Sequence, residues 1–143
     1  MSDTPAKSSA SKPARPRPLS PHLQVYRLPL AAITSITHRA TGVALTGGAV
    51  VLVAWLYAAA HDAEYFKWWQ SAFMSLVGLV CMAGWSLALF YHLCAGVRHL
   101  LWDAGVGLKK ETVNSTNLLV IACALLLTGM AWFFALPKLP FKF

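Results

Sequence analysis

In the stretch YHLCAGVRHLLWD, Tyr91 to Asp103, the residues His92, Gly96, His99 and Asp103 stand at i, i+4, i+7 and i+11, which puts all four on one face of a helix. Carrying that row backwards adds Ala88 and Gly84, so the face that bears His92 is otherwise built from small side chains and could take something wide and flat. Close helix packing uses small residues at the same spacing, and it is the histidine that turns attention to a ligand. His92 lies roughly ten residues, or about 15 Å, in from Trp102 within an apolar run, where an imidazole is costly unless it has a partner. Haem iron is a natural partner, because neutral imidazole is a common axial ligand and a porphyrin needs an apolar slot with close backbone approach. The alternative is a histidine hydrogen-bonded between helices.

A six-coordinate iron needs a second axial ligand on the opposite side of the porphyrin. His99 is on the same helix face as His92, about 10 Å along it, and cannot close that sandwich. His38 opens an earlier helix at a depth read as level with His99, and His22 and His61 fall outside the apolar runs. The second ligand is therefore expected from another chain, which makes cofactor and oligomer one hypothesis.

The stretch SITHRATG, Ser35 to Gly42, stands at the threshold of the first apolar run. Haem propionates directed to that surface would fall near His38, Arg39, Arg98 and His99, and arginine holds carboxylates through charge-assisted, often bidentate hydrogen bonds. Ser35 and Arg39 are i and i+4 on one helix face with His38 beside them. A hydroxyl and a guanidinium aimed at one point suit a neutral carbonyl ligand such as a quinone arriving from the membrane. The competing reading is a serine bonded back to its own helix and an arginine reaching for lipid phosphates.

The elements that must position these groups are membrane helices. The chain has 143 residues, 57% of them hydrophobic and 12% charged, which is too apolar for an ordinary soluble domain. A spanning helix needs about 20 apolar residues, and Ala40 to Ala60, Ala72 to Tyr91 and Leu118 to Leu136 qualify. With their polar extensions, helices are expected at about 29–60, 70–102 and 115–136, in one membrane domain over 17–143 behind a disordered basic tail at 1–16. The net charge of +7 follows topology rather than nucleic-acid binding. Lys7, Lys12, Arg15, Arg17, Arg27 and Arg39 precede or open the first helix, and Arg98, Lys109 and Lys110 surround the second long loop; the other side has Lys67, Lys138 and Lys142. The positive-inside rule puts the N-terminus in the cytoplasm of a bacterial inner membrane, or in the matrix of a mitochondrion. The tail lacks the apolar core of a secretory signal, and its prolines and Asp3 count against a mitochondrial transit helix. Cys81, Cys94 and Cys123 show no CxxC spacing and read as small packing residues. Ala40, Ala44 and Gly48 form a packing seam, and Tyr65, Phe66, Trp68, Trp69, Trp132, Phe133 and Phe134 form interfacial belts.

RPLSPHLQVY from Arg17 to Tyr26, SITHRATG, and HLCAGVRHLLWD from His92 to Asp103 together resemble the cytochrome b membrane-anchor subunit of succinate dehydrogenase, respiratory complex II. The three blocks and the topology cover the chain from about Arg15 to its end, with Val25 a conservative variant. The resemblance implies an all-α membrane protein whose three transmembrane helices form half of a haem-binding bundle. In that bundle His92 is the axial ligand of haem b, and a second membrane-anchor subunit supplies the other histidine. It implies that Ser35 and Arg39 line a ubiquinone pocket near the iron–sulfur subunit and that His38, Arg39 and His99 lie by the propionates. Arg98 and Asp103 then support the site without touching the ligand, and Ser20, Pro21, His22 and Tyr26 order the segment facing the soluble subunits. In the family a flavoprotein subunit oxidises succinate and electrons pass through iron–sulfur clusters to quinone, so such a chain is part of an enzyme without being catalytic alone. The alternative of a different class is a purely structural, haem-free anchor for a soluble redox enzyme.

Overall fold

The computed structural model describes residues 27–138. The basic tail expected over 1–16, and Ser20, Pro21, His22 and Tyr26, lie outside the described residues. The described chain is four helices, α1 (Leu30–His61), α2 (Ala63–Met74), α3 (Leu76–Asp103) and α4 (Lys110–Ala135), followed by a short 3-10 turn, Leu136–Lys138. α1, α3 and α4 are each long and apolar enough to cross a membrane. At 32 residues, α1 runs for about 48 Å and so extends well beyond a hydrocarbon layer of about 30 Å.

The helix ends are written locally. Pro29 precedes α1 in an extended conformation, and Asp62 both terminates α1 and caps α2, its Oδ1 accepting from the amides of Glu64 at 3.0 Å and Tyr65 at 2.9 Å. Ser75 does the same at the next junction, closing α2 and accepting the Gly78 amide at 3.0 Å at the start of α3. α3 ends in a Schellman turn, with the Gly105 amide on the Trp102 carbonyl at 2.8 Å and the Val106 amide on the Leu101 carbonyl at 2.9 Å. Gly105 has φ +78°, a left-handed conformation that a side chain would oppose.

Two boundaries differ from the sequence reading. The second helix, expected as one piece over about 70–102, is broken at Ser75 into α2 and α3, and the third begins at Lys110 rather than near 115. The Ser75 break lies inside an apolar stretch that continues on both sides, so hydropathy gives no sign of it. α2 is a short amphipathic piece. Its Phe66 and Phe73 pack on Trp55 of α1 at ring-centroid distances of 5.7 and 6.4 Å, while Tyr65 and Trp68 face outward.

The protein core is small, formed by Tyr91, Ala95, Val120 and Ala124 with Phe90, Cys94 and Ile121 packed against it. Large apolar side chains such as Val43, Val50, Leu76 and Val80 are exposed, as expected of helices surrounded by lipid or by partner helices. In the expected seam, Gly48 lies directly beneath the indole of Trp85 on α3, so this part of it packs within the chain.

Candidate functional site

α1 and α3 meet through backbone carbonyls of α1. Tyr91 donates its hydroxyl to the Thr34 carbonyl at 2.9 Å, and one turn along α1 the His92 Nδ1 lies 3.1 Å from the His38 carbonyl and 3.2 Å from Thr41 Oγ1. A carbonyl oxygen can only accept, so the proton of a neutral His92 is on Nδ1 and Nε2 carries the free lone pair. This tautomer, with one ring nitrogen committed to a carbonyl and the other bare, is the arrangement that metal-ligating histidines adopt. Gly42 makes room for it: a Cβ there would stand 3.1 Å from His92 Cε1.

His38 is sandwiched between the other two imidazoles. Its ring stacks on His92 with centroids 4.1 Å apart and planes inclined by 27°, and on His99 at 4.8 Å and 25°. The depth reading that made His38 level with His99 is thus corrected: it lies between the two and closer to His92. The hydrogen bond of His92 to the His38 backbone draws the rings together, and rise along a single helix cannot reveal such cross-helix register. His99 donates Nδ1–H to the Ala95 carbonyl of its own helix at 2.8 Å, and His38 Nε2 is buried without a hydrogen-bond partner among the described residues. No three His, Cys, Asp or Glu side chains converge as a bare-ion site among the described residues. The described residues therefore offer single imidazoles rather than a complete coordination sphere.

The small-residue row on α3 is open. Nothing lies within 4 Å of a Cβ built at Gly84 or Gly96, and Gly84 and Ala88 line a cavity of about 370 Å³ together with Thr37, Thr41, Leu87 and Tyr91. Within this chain, therefore, no described helix packs on Gly84 or Gly96. Ser35 is half-buried and Arg39 exposed, one helical turn apart on α1. Neither makes a side-chain hydrogen bond to a described residue, whereas the hydroxyls of Thr34, Thr37, Thr41 and Thr46 on the same helix all bond to α1 carbonyls.

Arg98 takes another direction. It is 4% exposed and turned into the seam between α3 and α4, where Nη1 donates to Asn117 Oδ1 and the guanidinium covers Trp102 at 4.6 Å. Thr34 reaches the same Asn117 oxygen at 2.9 Å, so one amide ties α1, α3 and α4 together. Asp103 is exposed, and Arg98 has no carboxylate partner among the described residues.

Residues 13–131 match the family model for the succinate dehydrogenase/fumarate reductase transmembrane subunit. The chain belongs to that family. A succinate dehydrogenase cytochrome b556 subunit of Paracoccus denitrificans is 49% identical over 111 residues, covering 78% of this chain and 85% of that protein. The cytochrome b556 subunit of Rickettsia felis is 40% identical over 116 residues, covering 81% and 90%. A mitochondrial cytochrome b560 subunit of Dictyostelium discoideum is 38% identical over 119 residues, covering 82% and 62%. As a transmembrane subunit of the succinate dehydrogenase/fumarate reductase family, the chain is part of an enzyme whose catalytic domains lie on other polypeptides.

For this family member the structure brings His38, His92 and His99 into one stack and leaves Ser35 and Arg39 without a side-chain hydrogen bond to a described residue. The residues that sequence reasoning passed over are Thr34, Thr41, Tyr91 and Asn117. Asn117, immediately before the apolar run beginning at Leu118, carried the one available signal, since a buried amide at a membrane helix needs a partner.

Proposed function

We propose that this chain is the cytochrome b membrane anchor of a succinate:quinone oxidoreductase, holding one side of haem b through His92 and forming part of the ubiquinone-reduction site with Ser35 and Arg39. The observation that carries this reading is the contact of His92 Nδ1 with the His38 carbonyl at 3.1 Å, which calls for a proton on Nδ1 and so leaves Nε2 as a donor lone pair. The donor set fits haem, with a single imidazole beside open small residues and with Nε2 of His38 lacking a partner among the described residues. Bound there, haem would supply a one-electron redox centre close to the quinone. His38 Nε2 and the Arg39 guanidinium would hold its propionates by donating N–H groups, His99 would join them from Nε2 as an imidazolium because its Nδ1–H is bonded to Ala95, and a second membrane-anchor subunit would supply the other histidine.

At the quinone, the Ser35 hydroxyl and the Arg39 guanidinium would donate to a carbonyl oxygen, orienting the ring and stabilising the negative charge that grows on that oxygen as electrons arrive. Reduction to the quinol takes two electrons, delivered from succinate oxidation through the flavoprotein and iron–sulfur subunits, and two protons. Bringing this site to the basic, cytoplasmic face places it next to those soluble partners. The Thr34–Asn117–Arg98 contacts put the start of α1 and the end of α3 at one end of the bundle, and the basic residues near that end favour the cytoplasmic side.

His92→Ala in the assembled complex should abolish or severely disturb the reduced-minus-oxidised haem b spectrum. Ser35→Ala and Arg39→Ala should each impair quinone reduction and spare succinate oxidation by an artificial dye. Normal quinone kinetics in both pocket variants would defeat the quinone assignment. A purified complex with no haem bands would leave the chain a structural anchor.

A further inference from the structure

We infer that Thr41 is a positioning residue for the ligating imidazole, acting as the second hydrogen-bond acceptor that fixes the plane and raises the basicity of His92. The inference rests on the reading of His92 as the haem ligand.

A threonine hydroxyl has one proton. Thr41 Oγ1 lies 2.8 Å from the His38 carbonyl, which can only accept, so that proton is spent there. Its contact with His92 Nδ1 at 3.2 Å must then run the other way, with the ring N–H donating to the hydroxyl oxygen. The same N–H meets the His38 carbonyl at 3.1 Å. Both lengths exceed the usual N–H···O distance of about 2.9–3.0 Å, as expected for one hydrogen shared between two acceptors. A single acceptor would leave the ring free to swing about that bond; two acceptors fix its plane and hence the direction of the Nε2 lone pair. The support is itself rigid, because Thr41 is β-branched and is tied to its own helix one turn back. Gly42, next in the chain, bounds the ring on its Cε1 edge.

Hydrogen bonding from the far nitrogen of a ligating imidazole raises the basicity of the nitrogen on the metal and favours the oxidised ion. Replacing Thr41 by valine keeps the shape and branching and removes only the hydroxyl. In the intact, purified complex, Thr41→Val should raise the haem midpoint potential and alter the low-spin ferric EPR spectrum, which reports imidazole orientation. It should also speed haem loss to an added haem-scavenging apoprotein by about tenfold or more. Thr41→Ser, which keeps the hydroxyl, should restore wild-type values. If Thr41→Val assembles poorly, Thr41→Ala serves for the same three measurements. An unchanged or lowered potential with an unchanged EPR spectrum overturns the inference. His92→Ala run in parallel separates the two readings: retention of haem there refutes ligation by His92, whereas haem loss there together with an indifferent Thr41→Val refutes the role of Thr41 alone.

Discussion

Truncating Asn117 to alanine tests the buried network that joins the three spanning helices. Asn117 Oδ1 accepts from Arg98 Nη1 and from Thr34 Oγ1, so the substitution strands a guanidinium that is 4% exposed. A hydrogen bond to a charged group contributes about 1.5–3 kcal/mol, and a neutral interhelical bond in a membrane protein about 0.6 kcal/mol. Thr34 loses little, since it can turn to the Ala31 carbonyl at 3.1 Å. Against these losses, Asn117 Nδ2 is already buried without a partner among the described residues, and removing it relieves a penalty of about 1 kcal/mol. The net destabilisation should be about 0.5–2 kcal/mol. In an Arg98→Met background no cation is left to strand, and the same truncation should be close to neutral. The assay is a double-mutant cycle on the assembled complex in mixed lipid–detergent micelles, following denaturant-induced loss of α4 contacts. Equal costs for Asn117→Ala in the two backgrounds would refute the assignment of Asn117 as the partner of Arg98.

Gly48→Ala should destabilise the α1–α3 pair by about 1–3 kcal/mol, because its Cβ would collide with the Trp85 indole, as measured by the same unfolding assay. Gly47→Ala, where nothing lies within 4 Å, should be neutral or slightly stabilising. Gly42→Ala should perturb the haem absorption and EPR spectra while leaving helix content by circular dichroism unchanged, because its Cβ falls 3.1 Å from His92 Cε1. Asp62→Ala removes an acceptor that serves two amides and should weaken the start of α2 by about 1 kcal/mol, seen as faster hydrogen exchange at Glu64 and Tyr65.

The three spanning helices were readable because long apolar runs report directly on a lipid environment. The break at Ser75 was not, because it depends on a local hydroxyl cap inside a stretch that stays apolar on both sides. Helical spacing placed Ser35, His38 and Arg39 on one side of α1 and His92 and His99 on one face of α3, since both are properties of a single helix. The position of His38 between His92 and His99 is a property of two helices, set by where α3 side chains find α1 carbonyls, and no one-helix periodicity contains it. Arg98 shows the same limit. Its place near the surface end of the helix suggested a carboxylate of the ligand, yet the guanidinium meets Asn117, 19 residues further along the chain, once α4 packs on α3.

Helix register and ligand chemistry are therefore one problem in this fold. Two consecutive α3 residues, Tyr91 and His92, donate to α1 carbonyls one turn apart, at Thr34 and His38. Those carbonyls keep their intrahelical roles in α1 while receiving the extra donors, so docking costs neither helix a backbone bond. A slip of one residue between α1 and α3 would break both contacts, move His92 away from the space left by Gly42 and drive Trp85 off Gly48. The bond that fixes the His92 tautomer is also a bond that fixes the register. Thr34 extends the same lock to α4 through Asn117, so packing of the third spanning helix bears on the imidazole one turn further along α1. The geometry of His92 is thus tied to the docking of α3 on α1.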